Sequence, residues 1–586
     1  MRSGGLLALV LAIVLGGLGV ALGGEPPAPA PARPNILFIA LDDLNDWVGC
    51  LGGHPQTLTP NLDRLARSGV LFTNAHCAAP QCNPSRSAIF TGVSPHVSGL
   101  YDNGQKMREV MPTTEIIPKT LSRQGYQTGG SGKMLHYFID ATSWDTYFPE
   151  ATGENPFPRT FVPPKRPVSL PVAGPWQYRE TDWGAMPVGD AEYGGDSLVS
   201  EWVSEWLGRK HESPFFVACG IYRPHEPWFV PAPYFEPFPL DAIQLPPGYR
   251  ADDLDDLPPE GQRRGPNRYF EHIQKQGQWK QAIQAYLASI HYADAMLGRV
   301  LQALEAGPNA KDTIVVLWSD HGWHLGEKEH WQKYTAWRVC TRVPLIVRVP
   351  PGVSSLAEGT TPAECDRPVS LVSLFPTLLD LAGLPPEAHH SGPSLVPLLK
   401  DPKGAEWPHV AVTFLGDVGS YGLSAQDWRL IHYANGDEEL YHIADDPHEW
   451  RNLAGDPALA ARRAELRLLA PTTFAPKVAP RVESLPELAW HPVTDGQPVP
   501  PSRPDGAAFP VSFLNRSKAP VALQWSPPDG GKLKPYGPIP PGGRKSQPTR
   551  PGAVWAATDE QGRVLGYFEV GDRTAQAVIP DGAGGR

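Results

Sequence analysis

The chain has 586 residues, more than one compact core holds, which points to roughly three or four folding units. Its 41% hydrophobic and 19% charged residues fit a globular chain rather than a disordered one, and 68 prolines point to long, stiffened loops. A formal net charge of −11 excludes the footprint of a nucleic-acid or anionic-membrane binder, so any anion site must be local.

Taken in chain order, residues 1–23 read as a secretory signal. Arg2 gives the positive start, residues 6–20 the apolar core, and Ala21-Leu22-Gly23 the small-residue exit. The rival reading is an uncleaved anchor, but the core is short and glycine-rich for the ~20 residues of a span. No Cys follows it, which argues against a lipoprotein anchor. Residues 24–33 form a Pro/Ala tether. The expected product is secreted or periplasmic, with no membrane contact after cleavage.

The runs 36–41, 215–219, 314–318 and 344–349 are short and unbroken, as strands buried on both faces are. Segments 62–66 and 281–306 have helical spacing, with Thr59-Pro60 as cap and first turn of the former. This alternation predicts a parallel sheet covered by helices. The first three runs lead into polar chemistry: Asp42-Asp43 after the first, His225 beyond the second, Asp320-His321 after the third. Ligands gather beyond the carboxyl ends of strands in such sheets, so these residues can share one edge. A strand ending in solvent explains one such pair more simply than it explains several.

Pro-rich, polar stretches at 149–190 and 231–266 read as surface insertions that shape access to a site. The expected division is a catalytic domain over 34–400, a smaller α/β or antiparallel subdomain over 401–475, a Pro-rich linker over 476–508 and a β-rich module over 509–581. The six cysteines (Cys50, Cys77, Cys82, Cys219, Cys340, Cys365) make no disulfide framework. If chemistry consumes Cys82, five remain and at least one is unpaired or intermolecular.

Cys82-Asn83-Pro84-Ser85-Arg86 opens the most informative segment. Pro two positions after Cys marks a helix entrance, where free N–H groups and the helix dipole favour an anion. Arg86, one turn in, offers a fork of donors for sulfate or phosphate. These residues alone fit a buried Cys near a helix cap equally well. From Cys82 to Gly92, however, the segment matches C-x-P-S-R-x-x-x-x-T-G at every specified position. It resembles the signature of type I sulfatases, in which a maturation enzyme oxidises the Cys to formylglycine. The resemblance covers roughly 34–475 and is nearest the iduronate 2-sulfatase branch. Choline sulfatase-like enzymes are more distant. Further support comes from Pro34-Asn35-Ile36-Leu37, Ser319-Asp320-His321-Gly322-Trp323-His324-Leu325-Gly326-Glu327, residues 370–384, Glu439-Leu440-Tyr441 and Asp446-Pro447.

The resemblance implies an α/β fold of the alkaline phosphatase/sulfatase type: a largely parallel sheet between helices, a smaller C-terminal subdomain and, here, an appended β-sandwich. It implies Asp42, Asp43, Asp320, His321 and formylglycine 82 as metal ligands. Three carboxylates suit Ca²⁺, while the softer nitrogen also admits Mg²⁺ or another divalent ion. Arg86, Lys133, His136, His225 and Lys333 match the family's catalytic positions; His324 and His330 match no role. The implied chemistry is covalent. One hydroxyl of the hydrated aldehyde attacks sulfur while Arg86, Lys133 and Lys333 neutralise the sulfuryl oxygens. His225 or Lys333 protonates the leaving alcohol, and His136 takes the proton of the second hydroxyl as sulfate departs.

The implied partners are a sulfated carbohydrate and, during maturation, a formylglycine-generating enzyme. A phosphodiesterase or phosphonate monoester hydrolase on the same fold is the rival activity; a catalytically silent binding protein is the rival class. The tail resembles the von Hippel–Lindau β-domain through Phe513 to Ser517, Tyr536 and Trp555, which suggests a peptide or protein ligand, although Thr549 stands where that pocket has Ser and Ala553 where it has His. A generic sandwich fits equally. Asn515-Arg516-Ser517 also fits a glycosylation acceptor.

Overall fold

The computed structural model describes residues 33–149, 155–168, 181–352, 355–479, 485–494, 497–504, 509–571 and 574–583. The expected leader, and the tether but for Arg33, lie outside them. So do parts of the first insertion and of the Pro-rich linker. No helix among the described residues is long and apolar enough to cross a membrane.

The central sheet has eight strands: β1 (Asn35–Leu41), β2 (Val70–Phe72), β3 (Gln127–Gly132), β4 (Thr146–Phe148), β5 (Phe215–Ile221), β6 (Thr313–Ser319), β7 (Leu345–Arg348) and β8 (Ala363–Cys365). Their order is β8-β2-β7-β6-β1-β5-β3-β4. β1 lies at the middle, parallel to β5 and β6. Only β7 runs against the others, antiparallel to both β6 and β2. Apolar periodicity places a strand at 345–348 but says nothing of its direction, so the parallel expectation is corrected there.

The pleat of β1 explains its unbroken hydrophobicity. Leu37, Ile39 and Leu41 point to one core, shared with the helices Asp196–Gly208 and Trp279–Ala306. Ile36, Phe38 and Ala40 point to the other, where Ile89 and Phe90 of the helix Cys82–Thr91 pack. The helix Pro60–Ala66 starts at Thr59 as expected, but the Thr59 side chain does not cap it. The Asp294 carboxylate accepts the Asn61 and Leu62 N–H groups instead, at 3.1 and 2.8 Å.

Beyond the central sheet, Ala411–Phe414, Tyr421–Ser424, Trp428–His432 and Glu438–His442 form a four-stranded antiparallel sheet, with the helix Ala460–Leu468 nearby. The tail folds as two sheets of five and three strands around Val511, Phe513, Leu523, Trp555 and Phe568. Trp555 is a core residue there, and its indole N–H donates to Thr549 Oγ1 at 2.7 Å. Asn515 corrects the glycosylation reading. It is fully buried, and its amide donates to Ala519 O and Ile539 O, so it has no room for a glycan. All six cysteines are free thiols.

Candidate active site

The carboxyl ends of β1, β3, β5 and β6 converge on the first turn of the helix Cys82–Thr91. Cys82 is its first residue, preceded by extended Gln81, and is fully buried. Around Sγ stand Lys333 Nζ at 3.0 Å, His321 Nε2 at 3.3 Å and Lys133 Nζ at 3.5 Å. Burial alone would push the Cys82 thiol up. The charges of Lys133, Lys333 and His321 outweigh it and hold the thiol well below its ordinary range.

Each carboxylate is fixed by the chain around it. Asp42 leaves β1 with its N–H on Ile221 O. Its carboxylate takes Arg86 Nη2 at 3.0 Å and Lys133 Nζ. Asp43 turns into the left-handed region, φ 60°, which aims its side chain back at Cys82. Its N–H donates to Asp320 Oδ1, its carbonyl accepts from Tyr286 Oη at 2.8 Å, and its Oδ1 accepts from Lys333 at 2.9 Å. Asp320, just past β6, takes Arg86 Nε on Oδ2 at 2.7 Å, and its carbonyl accepts from Ser85 Oγ. His321 places Nδ1 on Gly322 O at 3.0 Å and so turns Nε2 toward Cys82.

The donor set fits a hard divalent cation. Asp43, Cys82 and His321 offer atoms within 4.8 Å of one another, as do Asp42, Cys82 and Asp320. Asp43 Oδ2 is buried and accepts no hydrogen bond, a lone pair left for a ligand the protein does not supply.

Arg86 meets a different geometry from the anion-facing one expected. Its Nε, Nη1 and Nη2 are all engaged, on Asp320, on the Lys133 and Met134 carbonyls, and on Asp42. It is fully buried and braces two carboxylates. His136 reaches Cys82 from beyond β3, and burial pushes its pKa down to about 4, which keeps it neutral near pH 7. His225 turns Nε2 to within 3.6 Å of Asp43 Oδ2 while Nδ1 contacts Glu226 O at 2.6 Å.

Several supporting residues have no settled role in the sequence, where Arg223 is open between a substrate contact and packing of its loop. Arg223 holds the His225 turn, with donors on His225 O, Phe229 O and Tyr193 Oη. Tyr286 reaches Asp43 and Asn45 from the N-terminal part of the helix Trp279–Ala306. His324 and His330 frame the Lys333 loop: His324 contacts Thr335 Oγ1 at 2.6 Å, and His330 lies between Arg264 O and Lys333 O. Phe157 of the first insertion packs on Tyr137 and Tyr222, walling the site beside Lys133. Arg223, beside His225, and the two histidines, inside a motif-bearing loop, left a visible trace in the sequence.

Residues 34–384 match the sulfatase family, and residues 326–470 match the C-terminal region of N-sulphoglucosamine sulphohydrolase. Both matches end before the β-sandwich begins. A sulfatase of Formosa agariphila is 38% identical over 453 residues, covering 76% of this chain and 87% of that protein. Human iduronate 2-sulfatase is 33% identical over 418 residues, covering 64% of this chain and 74% of that protein. Among solved structures, a 2-O GAG sulfatase aligns with a TM-score of 0.56 at 23% identity, over 75% of this chain and 91% of that one. A phosphonate monoester hydrolase of Agrobacterium radiobacter aligns with a TM-score of 0.59 at 20% identity, over 74% and 94%. These two likenesses concern the fold.

Proposed function

The chain belongs to the sulfatase family, and from that premise we propose that it hydrolyses sulfate esters of carbohydrates through formylglycine made from Cys82. A 2-O-sulfated uronate is the first candidate substrate, by the likeness to human iduronate 2-sulfatase. Action outside the cytoplasm, secreted or periplasmic, accords with the apolar start of the chain. The observation that carries the reading is the setting of Cys82: buried at a helix entrance, with two lysine ammonium groups and His321 on Sγ and three carboxylates behind them.

Cys82 Sγ stands where the formylglycine oxygens would lie. That group, when formed, supplies a hydrated aldehyde with one hydroxyl to attack sulfur and another to release it. Asp42, Asp43, Asp320 and His321 would hold the divalent ion, Ca²⁺ by their oxygen-rich chemistry, as a Lewis acid beside it. Lys133 and Lys333 hold positive charge where sulfuryl oxygens gather. Arg86 keeps Asp42 and Asp320 oriented. His225, with Nδ1 fixed on Glu226 O, presents Nε2 as the proton donor to the leaving alcohol. Neutral His136 is suited to take a proton at the residue-82 side.

The test is a panel of sulfated saccharides, with matched phosphate and phosphonate esters, offered to protein co-expressed with a formylglycine-generating enzyme. Sulfate release from a saccharide is the expected result. Preferential cleavage of the phosphorus esters would assign the chain to the rival chemistry.

A further inference from the structure

A cavity of about 360 Å³ lies between the catalytic body and the C-terminal subdomain, and none of the residues that meet at Cys82 lines it. That volume is at the low end for small-molecule sites. Its wall includes Gly248, where a Cβ would come within 3.0 Å of His448 Nδ1, so a side chain there would narrow it.

All but two of the charged groups around the cavity, Glu327 and Arg338, pair off. Asp46 is paired with Arg342 at 2.9 Å. Lys328 is paired with Asp253 at 2.7 Å. Glu449 takes Arg429 Nε at 2.6 Å and the backbone N–H of Arg338. Glu327 accepts the Leu325 N–H, and burial lifts its carboxyl to about 7, so its charge is only partial near neutral pH. Arg338 is left over. Its Nη1 donates to Pro447 O at 3.2 Å, its Nε is buried without a hydrogen-bond partner, and no carboxylate among the described residues pairs with its guanidinium. Burial, and then repulsion from Arg342, pull its pKa below the ordinary arginine range, and the carboxylates of Asp46 and Glu449, beyond ion-pair distance, oppose that only in part. A guanidinium keeps its proton in a protein, so the unpartnered Nε is a charged donor open to an anion.

We propose that this cavity is a second anion-binding site that takes one sulfate or carboxylate group, with the Arg338 guanidinium as the fork that holds it. The group comes either from a free inorganic ion or from an acidic sugar residue, and the volume admits one such residue.

Crystals of the mature full chain soaked in sodium selenate and read by anomalous diffraction test the site. The expected result is a selenium peak within hydrogen-bond distance of the Arg338 guanidinium, lost in Arg338→Gln. A peak there without one at the catalytic centre would support this site and count against the catalytic reading. No cavity peak in the wild type overturns the proposal, as does one that persists in Arg338→Gln. Should that variant not fold, Arg338→Lys is expected to keep a weaker peak, and full occupancy there contradicts the fork. Calorimetry then separates the sources, with inorganic sulfate and an unsulfated uronate disaccharide as probes. Arg338→Gln is expected to weaken at least one by about tenfold, the scale of a charge-assisted hydrogen bond. A loss confined to the disaccharide points to a sugar, a loss for sulfate to the free ion, and no loss for either overturns the proposal.

Discussion

The two lysines that meet at Cys82 are held in opposite ways. Lys133 directly follows β3, with its N–H on Gly220 O and its carbonyl accepting Arg86. Gly132 before it adopts φ 74°, and a Cβ there would strike Gly220 O at 2.0 Å. The sheet itself therefore places Lys133. Lys333 sits in a loop between Gln332 and Tyr334, both at φ 80°, with Lys328 and Glu329 also left-handed. A histidine of the loop itself and three distant groups hold it. His330 meets Lys333 O, Glu439 takes the Trp337 indole at 2.8 Å, Glu449 takes Arg338 N–H, and Arg429 donates to Ala336 O. One lysine is a product of the sheet; the other depends on the C-terminal subdomain.

That contrast can be broken first at the chemistry. Lys133→Ala and Lys333→Ala should each lower kcat by about 10²–10³-fold, since both ammonium groups lie against Cys82 Sγ and the proposed mechanism sets both on the sulfuryl oxygens. A large loss for one alone would mean that the two do not share the charge. Next comes the support. Glu449→Ala strands the buried Arg429 and should cost about 3–5 kcal/mol by denaturant unfolding. Hydrogen exchange should rise across 326–338 while the strand leading to Lys133 stays protected; uniform loss of protection would argue against separate support. His330→Ala should cost about 1–3 kcal/mol and lower kcat more than it raises KM, because it displaces Lys333 rather than removing it. At the small end, Thr549→Val should cost about 1 kcal/mol in the sandwich alone and leave sulfate release unchanged. A fall in turnover there would tie the tail to the site.

Local patterns made much of this legible. The Cys82 motif, and apolar runs leading to Asp42-Asp43, Asp320-His321 and His225, are read within a few residues, and the parallel sheet brings them to one edge. What escaped is non-local. The direction of β7 depends on its neighbours rather than its composition. Arg86 has the right chemistry for an anion, yet two carboxylates and two carbonyls claim its donors first. Tyr286 looks like any helix-core residue until its hydroxyl is found on Asp43 O, 243 positions away. Asn515 matched an acceptor pattern that its burial overrides.

The most direct measurement compares sulfate release from one saccharide sulfate by the mature enzyme and by Cys82→Ala, each checked for fold and bound metal. The expected result is a folded, metal-binding variant without turnover, and a wild-type peptide spanning residue 82 whose mass shows the aldehyde. Near-normal hydrolysis by Cys82→Ala, or an unmodified thiol in fully active protein, would contradict the account.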